Sequence, residues 1–300
     1  MPSVTTYYGI TEPVPFIDVE VTRDNLRFLD PHAIRLDATP PEFARIANIA
    51  MTSYFVEITR CALSQSTSDR KRGLELLQRF GEPCETRLGM ARNSVNGHGG
   101  AKDVGEWIWA ALTGDAEALL RVGLLQELEA LPLFVEGIGP DITSDITTRI
   151  VYEALAMFTA HIVETFPQFS SNRHAVRSFE RQIWDPDALS WTTKRFELPV
   201  AANKPLLLVP LNWARPGLLM TSGRFYGTTV LSYAQREQTV FVSGHVIKPS
   251  KDTLKTQASL ARGRITNLGV TLRAHDHGED LIAAFKEFVD TRYAPADEAA

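Results

Sequence analysis

Residues 41–63 place Phe43, Ile46, Ala47, Ala50, Met51, Tyr54, Phe55 and Ile58 at intervals of three or four. That period gathers them on one face of a long helix, and Pro41 suits its first turn. Ser68 and Asp69 offer a cap for a second helix running to about Phe80. Two more helices are predicted over 101–113 and 115–130, where Leu119, Leu120, Leu124, Leu125 and Leu128 supply core positions. Ser144 or Asp145 caps a long helix to Thr165, with Ile150, Val151, Ala154, Leu155, Phe158 and Ile162 on one face. Phe166-Pro167 ends it. Residues 251–262 and 279–292 also read as helical.

Alternating patterns are fewer. Residues 14–21 (VPFIDVEV) alternate apolar and acidic positions, as a half-buried strand does. A turn with a short apolar insert, Leu26 to Leu29, follows. The run 132–138 (PLFVEGI) reads as a short apolar strand broken by Gly137, Gly139 and Pro140. Trp191 to Val200 and Pro205 to Val209 read as two strands joined by Ala201, Ala202 and Asn203, and Val240 to Ile247 as another. The pattern predicts a mixed α/β (α+β) protein. A mainly helical part with short strands over 1–170 packs with a smaller basic α/β part over 171–300, as one continuous globular unit.

Composition agrees with a folded chain: 44% hydrophobic and 22% charged over 300 residues is ordinary globular usage with a sizeable core. The longest apolar run, Leu206 to Val209, is closed by Pro205 and Pro210, so no membrane span is expected. The first residues lack the basic start and apolar stretch of a secretory leader. Cys61 and Cys84 lack metal or disulfide spacing and read as reduced thiols. A cytoplasmic setting is the expectation.

Charge is uneven. Residues 171–274 hold 15 Lys and Arg against 6 Asp and Glu, an excess of +9, while the rest of the chain carries −14. This basic segment offers a surface to nucleic acid or another anionic ligand. Equally, the two parts of the chain can neutralise one another.

Candidate chemistry centres on residues 137–148 (GIGPDITSDITT), where Asp141 and Asp145 lie four residues apart beyond the predicted strand. Carboxylates so placed can hold Mg or Mn, which take oxygen ligands. The competing reading is local: Asp145 caps the helix and Asp141 closes a turn. Glu82 and Glu85, in EPCETR, can add ligands or a general base. Asn96 to Gly100 is Gly-rich but lacks the spacing of a phosphate loop. His275-Asp276-His277 reads as a surface turn and His161 as a helix histidine. A comparison with PD-(D/E)xK nucleases fits Pro140-Asp141 but fails at Phe196-Glu197-Leu198-Pro199, where Pro stands in place of Lys. Serine-hydrolase, kinase and dinucleotide-binding signatures are absent.

Residues 16–31 (FIDVEVTRDNLRFLDP), 82–89 (EPCETRLG), 137–148 and 204–210 (KPLLLVP) together resemble a widespread set of uncharacterised bacterial proteins. Proteins of this look accompany mobile-element or phage-defence genes. The resemblance implies that Glu82, Glu85, Asp141 and Asp145 belong together. The expected function is a metal-dependent hydrolase, a nuclease or phosphohydrolase acting on nucleic acid or a nucleotide. Asp141, Asp145 and Glu85 hold the metal, Glu82 or Glu85 serves as further ligand or base, and Lys204, Lys194 and Arg195 meet phosphate. The alternatives are a non-enzymatic binding or effector module in a defence or regulatory complex, and a structural subunit of a larger assembly.

Overall fold

A computed structural model describes residues 2–37, 41–79, 83–90, 101–171, 174–243 and 245–293. It is a mixed α+β protein with a helical N-terminal part. Residues 1–109 with 139–218 form one compact unit, and 110–138 with 219–300 form another. Residues 171–218, expected to open the C-terminal part, thus belong to the first unit.

The first unit is built on the helix Pro41–Leu63. Every residue of its predicted stripe is buried except Ile46, which is half-buried. The stripe packs against the helix Tyr152–Thr165, where Phe43 meets Phe158 edge-on at 5.6 Å. The helix Thr67–Leu77 lies close on another side. At Gly73 a Cβ would sit 2.4 Å from the Trp109 ring and 2.6 Å from Cys61, so only glycine permits that approach. Burial, then nearby Glu57, pushes the Cys61 thiol up to about 11, as suits an inert core cysteine.

Strands Val176–Asp185 and Ser190–Ala201 form an antiparallel hairpin in register Phe179↔Phe196 and Trp184↔Trp191. The second strand was expected, as Trp191 to Val200; the first, with four charged residues among ten, was not. Tyr54, Trp184 and Trp191 make a three-ring cluster, with centroids 5.0–5.8 Å apart. Trp184 Nε1 donates to Ser53 Oγ at 2.9 Å, and Trp191 Nε1 to the Leu76 carbonyl at 3.0 Å.

A charged cluster ties this hairpin to the helices. Glu57, nearly buried, accepts from Arg60 and Arg72, each at 2.8 Å, and Arg72 also donates to the Leu189 carbonyl at 2.6 Å. The hydrogen bond from Arg60 is the largest cause holding the Glu57 carboxyl at about 2, with burial opposing and Arg72 adding. A folded value below the ordinary 4.5 gives stability that is complete above that value and lost as pH falls from about 5 toward 2. Glu57→Gln is therefore expected to flatten the acid limb of a stability–pH curve. It should also lower neutral-pH stability by ~1–2 kcal/mol, since both arginines are half exposed and screened. Urea melts from pH 2 to 7 would show this.

Several predicted elements differ. The run 132–138 is not a strand: Leu131–Phe134 is a helical turn with Pro132 inside its start. It is buried on all sides, so its period carries no signal. The helix expected from Ser144 or Asp145 starts earlier, as Pro140–Ile150, and breaks at Val151 before Tyr152–Thr165. Residues 115–130 give the short helix Glu117–Arg121, followed by Gly123 at φ 70°, and a 3-10 turn at Leu128–Ala130. Residues 14–21 bury Ile17, Val19 and Val21 in alternation but join no ladder beyond isolated bridges. Residues 205–209 are extended, yet pair only at Lys204–Pro205. The segments 222–237 and 264–276, unread in the sequence, are helical.

In the second unit Phe134 and Phe285 pack on Phe225, at 5.7 and 5.1 Å. Buried Asn267 donates to the Leu133 carbonyl at 2.9 Å and to Ser222 Oγ at 3.2 Å. Phe134→Ala is expected to cost ~3 kcal/mol through the cavity left against Phe225. A near-unchanged denaturation midpoint would refute that packing.

Candidate functional site

The helix Pro140–Ile150 takes Gly139 as its N-cap without a side-chain cap. Asp141 thus falls in the first turn, where a carboxylate suits the helix dipole, and its Oδ1 accepts from the Met90 amide at 3.3 Å. Asp145 lies one turn further on, half-buried, and is not the cap it was expected to be. The hydroxyls around it serve the backbone. Ser144 Oγ accepts from the Leu29 amide at 2.9 Å, while Thr147 and Thr148 donate to carbonyls one turn back at 2.6 and 2.8 Å.

Glu85 is buried, and its Oε1 accepts from Arg181 Nε at 2.7 Å. Burial, the largest single effect, disfavours the Arg181 charge, but the bond to Glu85, the Glu85 charge and Tyr152 together raise the guanidinium above its ordinary range. Tyr152 shares this interior; burial first, then the Glu85 charge, raises its phenol above the usual value. Arg87 is also buried. Its guanidinium donates to the carbonyls of Val21, Cys84, Ala201 and Pro205.

The four segments that carry the family resemblance therefore meet, but through structural bonds. Asn25 donates to the Arg87 carbonyl, Leu207 to the Glu85 carbonyl at 3.0 Å, and Leu208 to Thr159 Oγ1 at 2.9 Å. Ile17 donates to the Val209 carbonyl at 2.9 Å. Residues 206–209 thread the interior with successive amides served by unrelated partners, which explains why no ladder forms there.

A metal needs several oxygen ligands free to turn toward it. Among the described residues no three His, Cys, Asp or Glu side chains gather as such a set. Glu85 is committed to Arg181; Glu82 and Asn96 to Gly100 lie outside the described residues.

Part of the basic segment is paired with acids. Lys194 meets Glu153 and lies over the Phe196 ring; Arg195 meets Glu180 at 2.9 Å with both side chains well exposed. Lys204 is exposed on its two-residue strand. Arg264 pairs with Glu136 at 3.0 Å, Arg236 with Glu279, and Arg273 with Glu237 at 2.8 Å. Several of these acids lie outside 171–274, so part of the charge asymmetry is neutralised within the molecule. His275 and Asp276 close the helix Arg264–Asp276, and His277 lies exposed in the turn that follows, as expected, with its Nδ1 2.6 Å from the Tyr233 hydroxyl.

A concave feature of the first unit lies elsewhere, on residues that no motif marked. An open groove of about 720 Å³ runs along one flank of Pro41–Leu63, lined by Ala44, Asn48, Ile49, Thr52, Val56 and Leu189, with Asp37 and Arg45 beside them. Ile49 and Val56 are exposed although apolar. Asn48 Oδ1 is buried and accepts no hydrogen bond among the described residues. A hollow of about 120 Å³, floored by Trp184 and Ile150, shares Ile49 with the groove. The sequence signal was there: Ile49 and Val56, seven apart, stand off the buried stripe and mark a second apolar line on the helix.

No helix among the described residues is long and apolar enough to cross a membrane. No curated protein and no solved structure matches the chain. A family model does match, over residues 9–220, a range that closes beside the last residue of the first unit, Leu218. With well over half of its 300 residues inside that match, the chain belongs to the DUF8370 family, a domain of unknown function.

Proposed function

We infer that the chain is a non-enzymatic binding module, and that the groove beside Pro41–Leu63 holds an apolar segment of a partner protein. One observation carries this reading: Ile49 and Val56 are exposed in a groove of drug-to-peptide size, beside an Asn48 carbonyl oxygen that lacks a donor. Apolar side chains of the partner would cover Ala44, Ile49, Val56 and Leu189. Asp37 and Arg45 would select polar flanks. A defence or regulatory complex would supply that partner. This reading is preferred to a metal-dependent nuclease or phosphohydrolase because Glu85 is bound to Arg181 and Asp141 meets the Met90 amide.

The test compares two sets of variants. In affinity capture from the native host, wild type is expected to hold a stoichiometric partner that Ile49→Asp and Val56→Asp each lose and Asp141→Ala keeps. Calorimetric titration with Mg²⁺ and Mn²⁺ is expected to give no binding heat. Binding heat in wild type that disappears in Asp141→Ala/Asp145→Ala would restore the hydrolase and sink the module.

A further inference from the structure

In the second unit, Val240–Val242 and His245–Ile247 form a two-stranded antiparallel ribbon in register Val240↔Ile247, Phe241↔Val246 and Val242↔His245. Side chains alternate along a strand, so Phe241 and Val246 share one face, while Val240, Val242 and Ile247 share the other. All five are exposed, Phe241 by 78% and Val246 by 58%. Both faces are thus apolar and wet. A ribbon of two short strands is marginal in water; independent stability takes three or more strands or a covering layer.

Charge separates its two edges. The strand His245–Ile247 runs into Lys248 and Pro249, the residue types that blunt a sheet edge. Lys251 and Lys255 follow, and burial, then the charges of Lys248 and Lys255, lower the Lys251 ammonium below its usual range. Lys251 donates to the Gly227 carbonyl and Lys255 pairs with Asp252, so a partner on that side would meet Lys248 and Pro249. The strand Val240–Val242 has no such guard: from Gln238 to Ser243 there is no charged residue and no proline. Its edge is neutral, so two copies brought together there set no like charges against each other, as the lysine side would. The Val-Phe-Val strand also reads the same in both directions. An antiparallel copy turned about a two-fold axis at Phe241 would place Val240 opposite Val242 and Phe241 opposite its own counterpart. Like side chains would then meet on both faces, as a two-fold contact requires.

We propose that the chain self-associates through the edge of Val240–Val242, forming a two-fold dimer around a four-stranded antiparallel sheet whose outer strands run into Lys248 and Pro249. This interface is independent of the groove in the first unit. Its strands are short, so the dimer dissociates on dilution.

Sedimentation velocity of the full chain over a wide concentration range is the test. The mass is expected to rise from one chain toward two. Phe241→Lys and Val242→Lys should remain single chains at every concentration with unchanged melting curves. Ile265→Lys, replacing an equally exposed apolar residue on Arg264–Asp276, should associate like wild type. In a Cys84→Ser background, Phe241→Cys should form a disulfide-linked pair with oxidised glutathione as electron acceptor, and Ile265→Cys should not. A wild-type chain that stays single throughout would leave the ribbon to some other occupant and overturn the proposal. So would a dimer indifferent to both lysine variants, or one in which Phe241→Cys fails to cross-link.

Discussion

Arg87→Ala is expected to cost ~3–5 kcal/mol and to lower the urea midpoint sharply. The Arg87 side chain is one of the few buried charges, and it is spent on backbone alone. Its Nε donates to the Val21 carbonyl at 3.0 Å, and its terminal nitrogens to Cys84, Ala201 and Pro205. Those four carbonyls come from three distant stretches of chain. Without the guanidinium each loses a donor, at ~1–3 kcal/mol for a buried acceptor, and water relieves only the more open of them. Arg87 also sits at φ 58°, so alanine inherits a strained backbone as well as a cavity. Arg87→Lys should recover little, because one ammonium cannot reach four acceptors set in a fork. A loss below about 1 kcal/mol in the alanine variant would show that these carbonyls find other donors.

Trp184→Ala is expected to cost a similar ~3–5 kcal/mol. Its ring is almost wholly buried, edge-on to Tyr54 at 5.0 Å and to Trp191 at 5.7 Å. Removing it opens a cavity between the hairpin and the helix Pro41–Leu63, and Ser53 loses the indole donor. Trp184→Phe should keep most of the packing and cost only ~1–2 kcal/mol. Equilibrium unfolding of both variants would test the order. Equal losses would mean that the Ser53 bond, rather than the ring volume, holds the hairpin in place. Because the hairpin turn reaches the groove through Leu189, Trp184→Ala should also weaken capture of the groove's partner.

The sequence by itself determined the features that have one wet side and one dry side. Pro41–Leu63 was legible to the residue because its buried stripe recurs at the helical period. Where a segment is buried on every side the pattern vanishes. Leu131–Phe134 and Leu206–Val209 are equally apolar, yet one is a helical turn and the other an extended thread, and only their distant partners decide which. Charged residues were ambiguous in the opposite sense. Glu85 and Asp141 look like ligands in a row of letters, and Arg87 like any surface arginine. The tertiary structure gives Glu85 to Arg181, Asp141 to the Met90 amide, and Arg87 to four carbonyls. A side chain's chemistry is set by what desolvates it and what it touches, and for these residues the deciding neighbours lie as far as 118 positions away along the chain.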